Sequence, residues 1–152
     1  MISITDFWED FQRNNPQYLT IEKPQFFYFG DNKTDADDCA QLVVLKIKQA
    51  TSPSLWWFTE HNEALPQIGD LSIVTDWESN PKAIIKTIKV EIAKFKDITP
   101  EYAFIEGEGD KSLAYWKKVH WEYYKNEMKE FIAFPNLEME IVCEYFETIW
   151  TT

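Results

Sequence analysis

Glycine is scarce in this sequence, with four in 152 residues. Two that fall close together therefore mark a place where the backbone needs freedom that a side chain would deny. Cysteine is nearly absent. Cys39 and Cys143 lie far apart, show no CxxC or zinc spacing and stand among apolar neighbours. That excludes a disulfide scaffold and reads as two buried, reduced thiols. Positive charge is short as well: 15 basic against 26 acidic side chains, a net charge of −11. A protein that grips long nucleic acid non-specifically needs an excess of Lys and Arg, so a ligand with few phosphates, or none, suits this balance better. There is no apolar run of spanning length, no repeat, no low-complexity tract and no Gly/Ser linker. Met1 to Phe11 carries Asp6, Glu9 and Asp10 and no basic region, unlike a secretory leader. One cytoplasmic domain over residues 1–152, with no membrane partner, is the expectation.

Apolar residues, by contrast, make up 45% of the chain and aromatics 16%. That is enough for a core without disulfides or metal, and some rings should be left over to line a groove. Ile4 to Asn14 reads as a short helix with Phe7, Trp8 and Phe11 on one face. Gln25 to Phe29 is a compact aromatic segment closed by Gly30-Asp31. A second helix, capped by Thr34 or Asp35, has Ala36, Cys39, Ala40, Val43 and Val44 as its stripe and should end near Ile47. Gln49 to Phe58 reads as extended. Asp70 to Asp76 and Ala83 to Ile92 form an antiparallel hairpin turned at Asn80-Pro81, with Ile84, Ile88, Val90 and Ile92 on one face. Thr99-Pro100-Glu101 starts a short helix, and Ser112 to about Phe131 is the longest one. Glu138 to Trp150 alternates Met139, Ile141, Cys143 and Tyr145 against Glu138, Glu140 and Glu144, a closing strand with one wet face. Short antiparallel strands interrupted by helices give an α+β domain, expected to form a small β-barrel.

Two segments resist a purely structural reading. In Lys46-Ile47-Lys48-Gln49-Ala50-Thr51, a lysine half buried at a helix–strand junction would have its pKa lowered by desolvation and could carry protons. A hydroxyl three residues on could act as a nucleophile or orient a water. The plain alternative is a solvated lysine at a helix C-terminus followed by a β-forming threonine. In Glu106-Gly107-Glu108-Gly109-Asp110, two of the four glycines fall beside three carboxylates. Their mutual repulsion can raise one pKa into the range of acid–base work; the alternative is a helix-to-helix loop with Asp110 as a cap. No EF-hand spacing is present, and no metal or cofactor is expected. His120 sits with Trp116, Tyr123 and Tyr124 on the long helix, and His61 in a polar stretch reads as surface. Of Trp56 and Trp57, one should point inward while the other stacks on a base.

These segments together resemble the ASCH domain family, relatives of the PUA fold. Lys48 and Thr51 match the family's GxKxxT motif, with Lys46 where the glycine is expected. The run Ala103 to Asp110, with Ser112-Leu113 and Trp116 to His120, resembles the larger bacterial subgroup, as do Phe29-Gly30-Asp31, Ala36-Asp37, Leu65-Pro66, Gly69-Asp70 and the hairpin through Pro81. The resemblance implies a PUA-like β-barrel whose cleft takes a modified nucleoside or short RNA. Some small members are similar to amidohydrolases that remove the acetyl group from N4-acetylcytidine with a lysine, a threonine and a glutamate. Lys48 and Thr51 carry over, with Glu106 or Glu108 as the acid; Lys46, Trp56, Asp110, Trp116 and His120 are the ligand-binding candidates. The alternatives are a non-catalytic RNA-binding module or a ribonuclease using the same cleft. A basic strip of Lys46, Lys48, Lys82, Lys86 and Lys89 would favour those two.

Overall fold

In the computed structural model, which describes residues 1–152, Ser3 opens the first helix. Its hydroxyl accepts from the Asp6 N–H, and α1 runs over Ile4–Asn14. The buried face is Phe7, Trp8 and Phe11, packed on Ile73 and Ile84. After strand β1 (Phe26–Phe27) comes α2 (Lys33–Val44). Its cap is Asn32 rather than Thr34 or Asp35, with the amide oxygen accepting from the Asp35 N–H. The helix also stops before the expected Ile47. Lys46 turns to φ 61°, and the N–H groups of Lys46 and Ile47 return to the carbonyls of Val43 and Leu42. This is a Schellman closure, with Lys46 in the left-handed position usually given to glycine.

Strand β2 is only Ala50–Thr51, and the expected extended run is broken by helix α3 (Leu55–Glu60). The Ser54 hydroxyl accepts from the Trp57 N–H, so a local cap overrides the strand propensity of Trp56, Trp57 and Phe58. Strands β3 (Leu71–Thr75) and β4 (Pro81–Lys94) form the predicted antiparallel hairpin. The predicted face of β4 does not persist. Register shifts at Ile84/Ile85 and Thr87/Lys89 bury both Ile84 and Ile85 and leave Ile88 and Ile92 exposed. Thr99 caps α4 (Pro100–Glu106), Ser112 caps α5 (Leu113–Met128), and β5 (Glu140–Thr151) closes the chain.

The strands lie in the order β1-β3-β4-β5-β2, antiparallel except for β1 on β3. The α+β, mostly antiparallel expectation holds, but the sheet does not close into a barrel: two-residue strands, β1 and β2, stand at its opposite edges. Neighbouring residues send the helices to opposite faces. Ile73 packs under α1 while Val74 packs under α2 with Cys39, Val43, Ile85 and Phe146. A third cluster joins α4 and α5 to the β2–β5 edge through Tyr102, Trp116, Tyr124, Ala50 and Ile141. Both cysteines are free and buried, and no helix is long and apolar enough to cross a membrane.

Candidate functional site

The closure of α2 at Lys46 reverses the chain and carries Lys48 inward, where it is only 1% exposed. Its Nζ donates to the Ala50 carbonyl at 2.8 Å and to Glu108 Oε2 at 2.9 Å, and lies 3.7 Å from Glu106 Oε2. The ring of Phe29 sits beneath the ammonium at 4.8 Å. Glu106 ends α4 and is as deeply buried as the lysine. Its Oε1 accepts from Trp116 Nε1 at 3.1 Å and from the Ser52 hydroxyl, and its Oε2 lies 2.7 Å from His120 Nε2. Between the two acids, Gly107 adopts φ 80°, and a Cβ there would stand 2.4 Å from the Ile47 carbonyl oxygen. The glycine thus lets the end of α4 press against the Ile47–Lys48 backbone, a close approach to the chain itself.

His120 is stacked on Trp116 at 4.1 Å, and its Nδ1 faces the Trp116 carbonyl at 2.8 Å. A carbonyl only accepts, so Nδ1 carries a proton. Nε2 against an ionised Glu106 carries the second, which makes the ring an imidazolium. Burial alone would lower the His120 pKa, but Glu106 raises it above the usual histidine value. Burial likewise pushes the Glu106 pKa up, yet His120 and Lys48 together hold it well below the ordinary range. Lys48 reverses the expectation of a lowered pKa. Desolvation pulls it down, but Glu108 and Glu106 outweigh burial and keep it above its normal value. Glu108 goes the other way from Glu106: burial raises its pKa, Lys48 lowers it, and the nearby Glu106 charge tips it upward. The neutral Cys39 thiol donates to Glu108 Oε1 at 3.3 Å; its own pKa is raised by burial.

Glu106, Glu108 and His120 offer donor atoms within 4.8 Å of one another, the spacing of a metal site. The cation there is already supplied. Lys48 Nζ bridges the carboxylates, and a doubly protonated His120 has no lone pair to offer. The cluster is built to hold protons.

It forms the floor of a cleft of about 920 Å³. Lys48, Thr51, Glu106, Glu108 and His120 all line that cleft, and Trp116 stands behind it holding Glu106. Three ligand-binding candidates lie elsewhere. Lys46 is exposed at the helix closure, where its role is backbone geometry. Trp56 packs edge-on against Phe131, leaving Trp57 to line the cleft. Asp110 is exposed and accepts from the Ser112 N–H. His61 is exposed, as expected. Several cleft residues had no sequence signal of function. Ser52 links Glu106 to Tyr102, and Phe29 underlies the lysine. Glu144, expected on a wet face, lines the cleft instead.

The ASCH domain model matches residues 25–150. Among solved structures, the ASCH domain from Lactobacillus crispatus JV V101 aligns with a TM-score of 0.89 at 28% identity, covering 95% of this chain and 92% of that one. A protein from Enterococcus faecalis V583 aligns with a TM-score of 0.87 at 32% identity, covering 96% and 87%. No curated protein matches.

Proposed function

The chain belongs to the ASCH domain family, and from that premise we propose that its cleft binds a modified pyrimidine nucleoside and hydrolyses an exocyclic amide, as in N4-acetylcytidine. One observation carries this reading: the buried Lys48 ammonium is held between Glu106 and Glu108 in the cleft that Thr51 also lines, with Glu106 fully buried against His120 and Glu108 partly open to solvent. Such different surroundings suit chemically identical groups to different proton roles.

Lys48 stays charged through the cycle and faces the oxyanion that forms when the acyl carbon is attacked. The attacking oxygen is that of a water bound to Thr51, or that of Thr51 itself, in which case a second water then hydrolyses the acyl-threonine ester and releases the carboxylate. Glu108, whose neutral form burial favours, gives its proton to the departing amine nitrogen as the C–N bond breaks. Glu106 stays ionised, paired with His120, and fixes the ammonium in place. The cleft volume of about 920 Å³ accommodates a nucleoside. The RNA-binding alternatives draw less support. The proposed basic strip is interrupted, since Lys48 is buried, Lys82 lies 3.8 Å from Asp76 and Lys89 lies 3.0 Å from Glu91.

The test is incubation with a panel of N4-acylated and unmodified nucleosides, followed by chromatography of the products. Cytidine and free acetate are expected from N4-acetylcytidine. No cleavage of any acylated nucleoside would overturn the reading.

A further inference from the structure

The reaction just outlined has an ammonium for the oxyanion and an acid for the leaving group, but no group that takes the proton from the attacking O–H. The sheet supplies a candidate outside the Lys48 cluster. Thr51 on β2 is paired directly with Glu144 on β5 in antiparallel register. Directly opposed residues project to the same face with Cβ atoms about 4.5–5.5 Å apart. The neighbouring pair, Ala50 and Tyr145, turns to the other face, toward the α4–α5 core. Both Thr51 and Glu144 line the cleft.

The Glu144 carboxyl is held but not used up. Thr87 Oγ1 on β4 donates to its Oε2 at 2.6 Å, and that is its only hydrogen bond to the protein. No buried side-chain oxygen in the molecule lacks a partner, so the free Oε1 is open to the cleft. It has no salt-bridge partner, in contrast to Glu106 and Glu108; the charged group that faces it is Asp70, just before β3.

We propose that Glu144 is the second proton-transfer residue of the cleft, the base for the O–H at Thr51. The step rests on the amidohydrolase reading and balances as follows. Glu144 accepts the proton of the attacking O–H while the oxygen–carbon bond forms and the carbonyl electron pair moves to oxygen. Collapse breaks the C–N bond, and Glu108 supplies the proton that the amine takes away. Solvent then returns Glu144 to its carboxylate and Glu108 to its acid. Burial, opposed by the Thr87 hydrogen bond and reinforced by Asp70, raises the Glu144 pKa. A raised pKa makes its carboxylate a stronger base than an exposed one.

Two measurements on the full chain test this separately from the amidohydrolase reading. The first is turnover of N4-acetylcytidine against pH by wild type, Glu144→Gln, Glu144→Asp and Thr87→Val. Glu144→Gln should lose about 10² or more in kcat with little change in KM, and Glu144→Asp should recover part of it. Thr87→Val should move the acidic limb of the pH profile upward. The second follows the carbon-13 carboxyl signal of Glu144 by NMR. It should titrate above the ordinary glutamate range and shift in Thr51→Val. If wild type cleaves no acylated nucleoside but the Thr51-linked titration is present, the substrate reading fails and the Thr51–Glu144 pair stands. An ordinary titration indifferent to Thr51→Val, or a Glu144→Gln effect below about tenfold in an active enzyme, overturns the proposal.

Discussion

Lys46 holds its backbone at φ 61°, a conformation that strains an L side chain and suits glycine. Lys46→Gly should raise stability by about 1 kcal/mol in urea unfolding and leave turnover unchanged. Lys48 behaves in the opposite way. Removing it leaves the buried Glu106 carboxylate without its ammonium and the partly exposed Glu108 without its ion pair, so Lys48→Ala should cost about 3 kcal/mol in the same measurement, besides abolishing turnover. His120 and Glu106 link stability to pH with opposite signs. The raised pKa of His120 contributes fully below its unfolded value of about 6.5 and is lost as pH rises through the higher folded value. The depressed pKa of Glu106 contributes fully above its unfolded value of about 4.3 and is lost as pH falls through the lower folded value. The deficit of His120→Gln relative to wild type should therefore be largest between about pH 4.3 and 6.5 and shrink toward alkaline pH. Denaturation midpoints across that range check it; a deficit that grows above pH 8 would contradict the imidazolium.

The junction of α4 with the Lys48 segment depends on one residue without a side chain. Gly107→Ala would drive a methyl into the Ile47 carbonyl and add left-handed strain, an expected loss of about 3 kcal/mol. Because Gln49 N–H also bonds the Ile105 carbonyl, the strain should spread to the Lys48–Glu106 contact and lower kcat along with Tm. Of the helix starts, that of α4 was legible, because Thr99 caps it ahead of Pro100 as read. Helix α2 is capped by Asn32 instead of Thr34 or Asp35, and α5 by Ser112 instead of Asp110, since several short polar residues stand in a row and only the backbone turn selects among them. Helix α3 was hidden because three consecutive aromatics suit a strand equally well. The bulges of β4 left no mark, since alternation cannot reveal an inserted residue. At the site, the spacing of Lys48 and Thr51 and the acid–glycine run drew attention to segments that the fold brings to one cleft. Glu144 stayed concealed for a physical reason: alternation shows which residues share a face, but not whether helices and loops rise around that face to make it a cleft.

At the scale of the whole molecule, charge decides which ligands can approach. A net charge of −11 repels a phosphate chain, and the surface lysines Lys33, Lys89, Lys94 and Lys96 are tied to acids. Fluorescence anisotropy with unmodified single-stranded RNA at low salt should show no saturable binding; tight binding with a steep salt dependence would instead mean counterion release from a basic track. Sheet order adds a constraint of time. β5, last in sequence, lies between β4 and β2. During synthesis, Lys48, Glu106 and His120 all emerge before the strand that seats Thr51, and β2 has no sheet partner until residues 144 and 145 arrive. The cleft therefore cannot be assembled stepwise from the N-terminus: a ribosome must have delivered β5 before any of it can work.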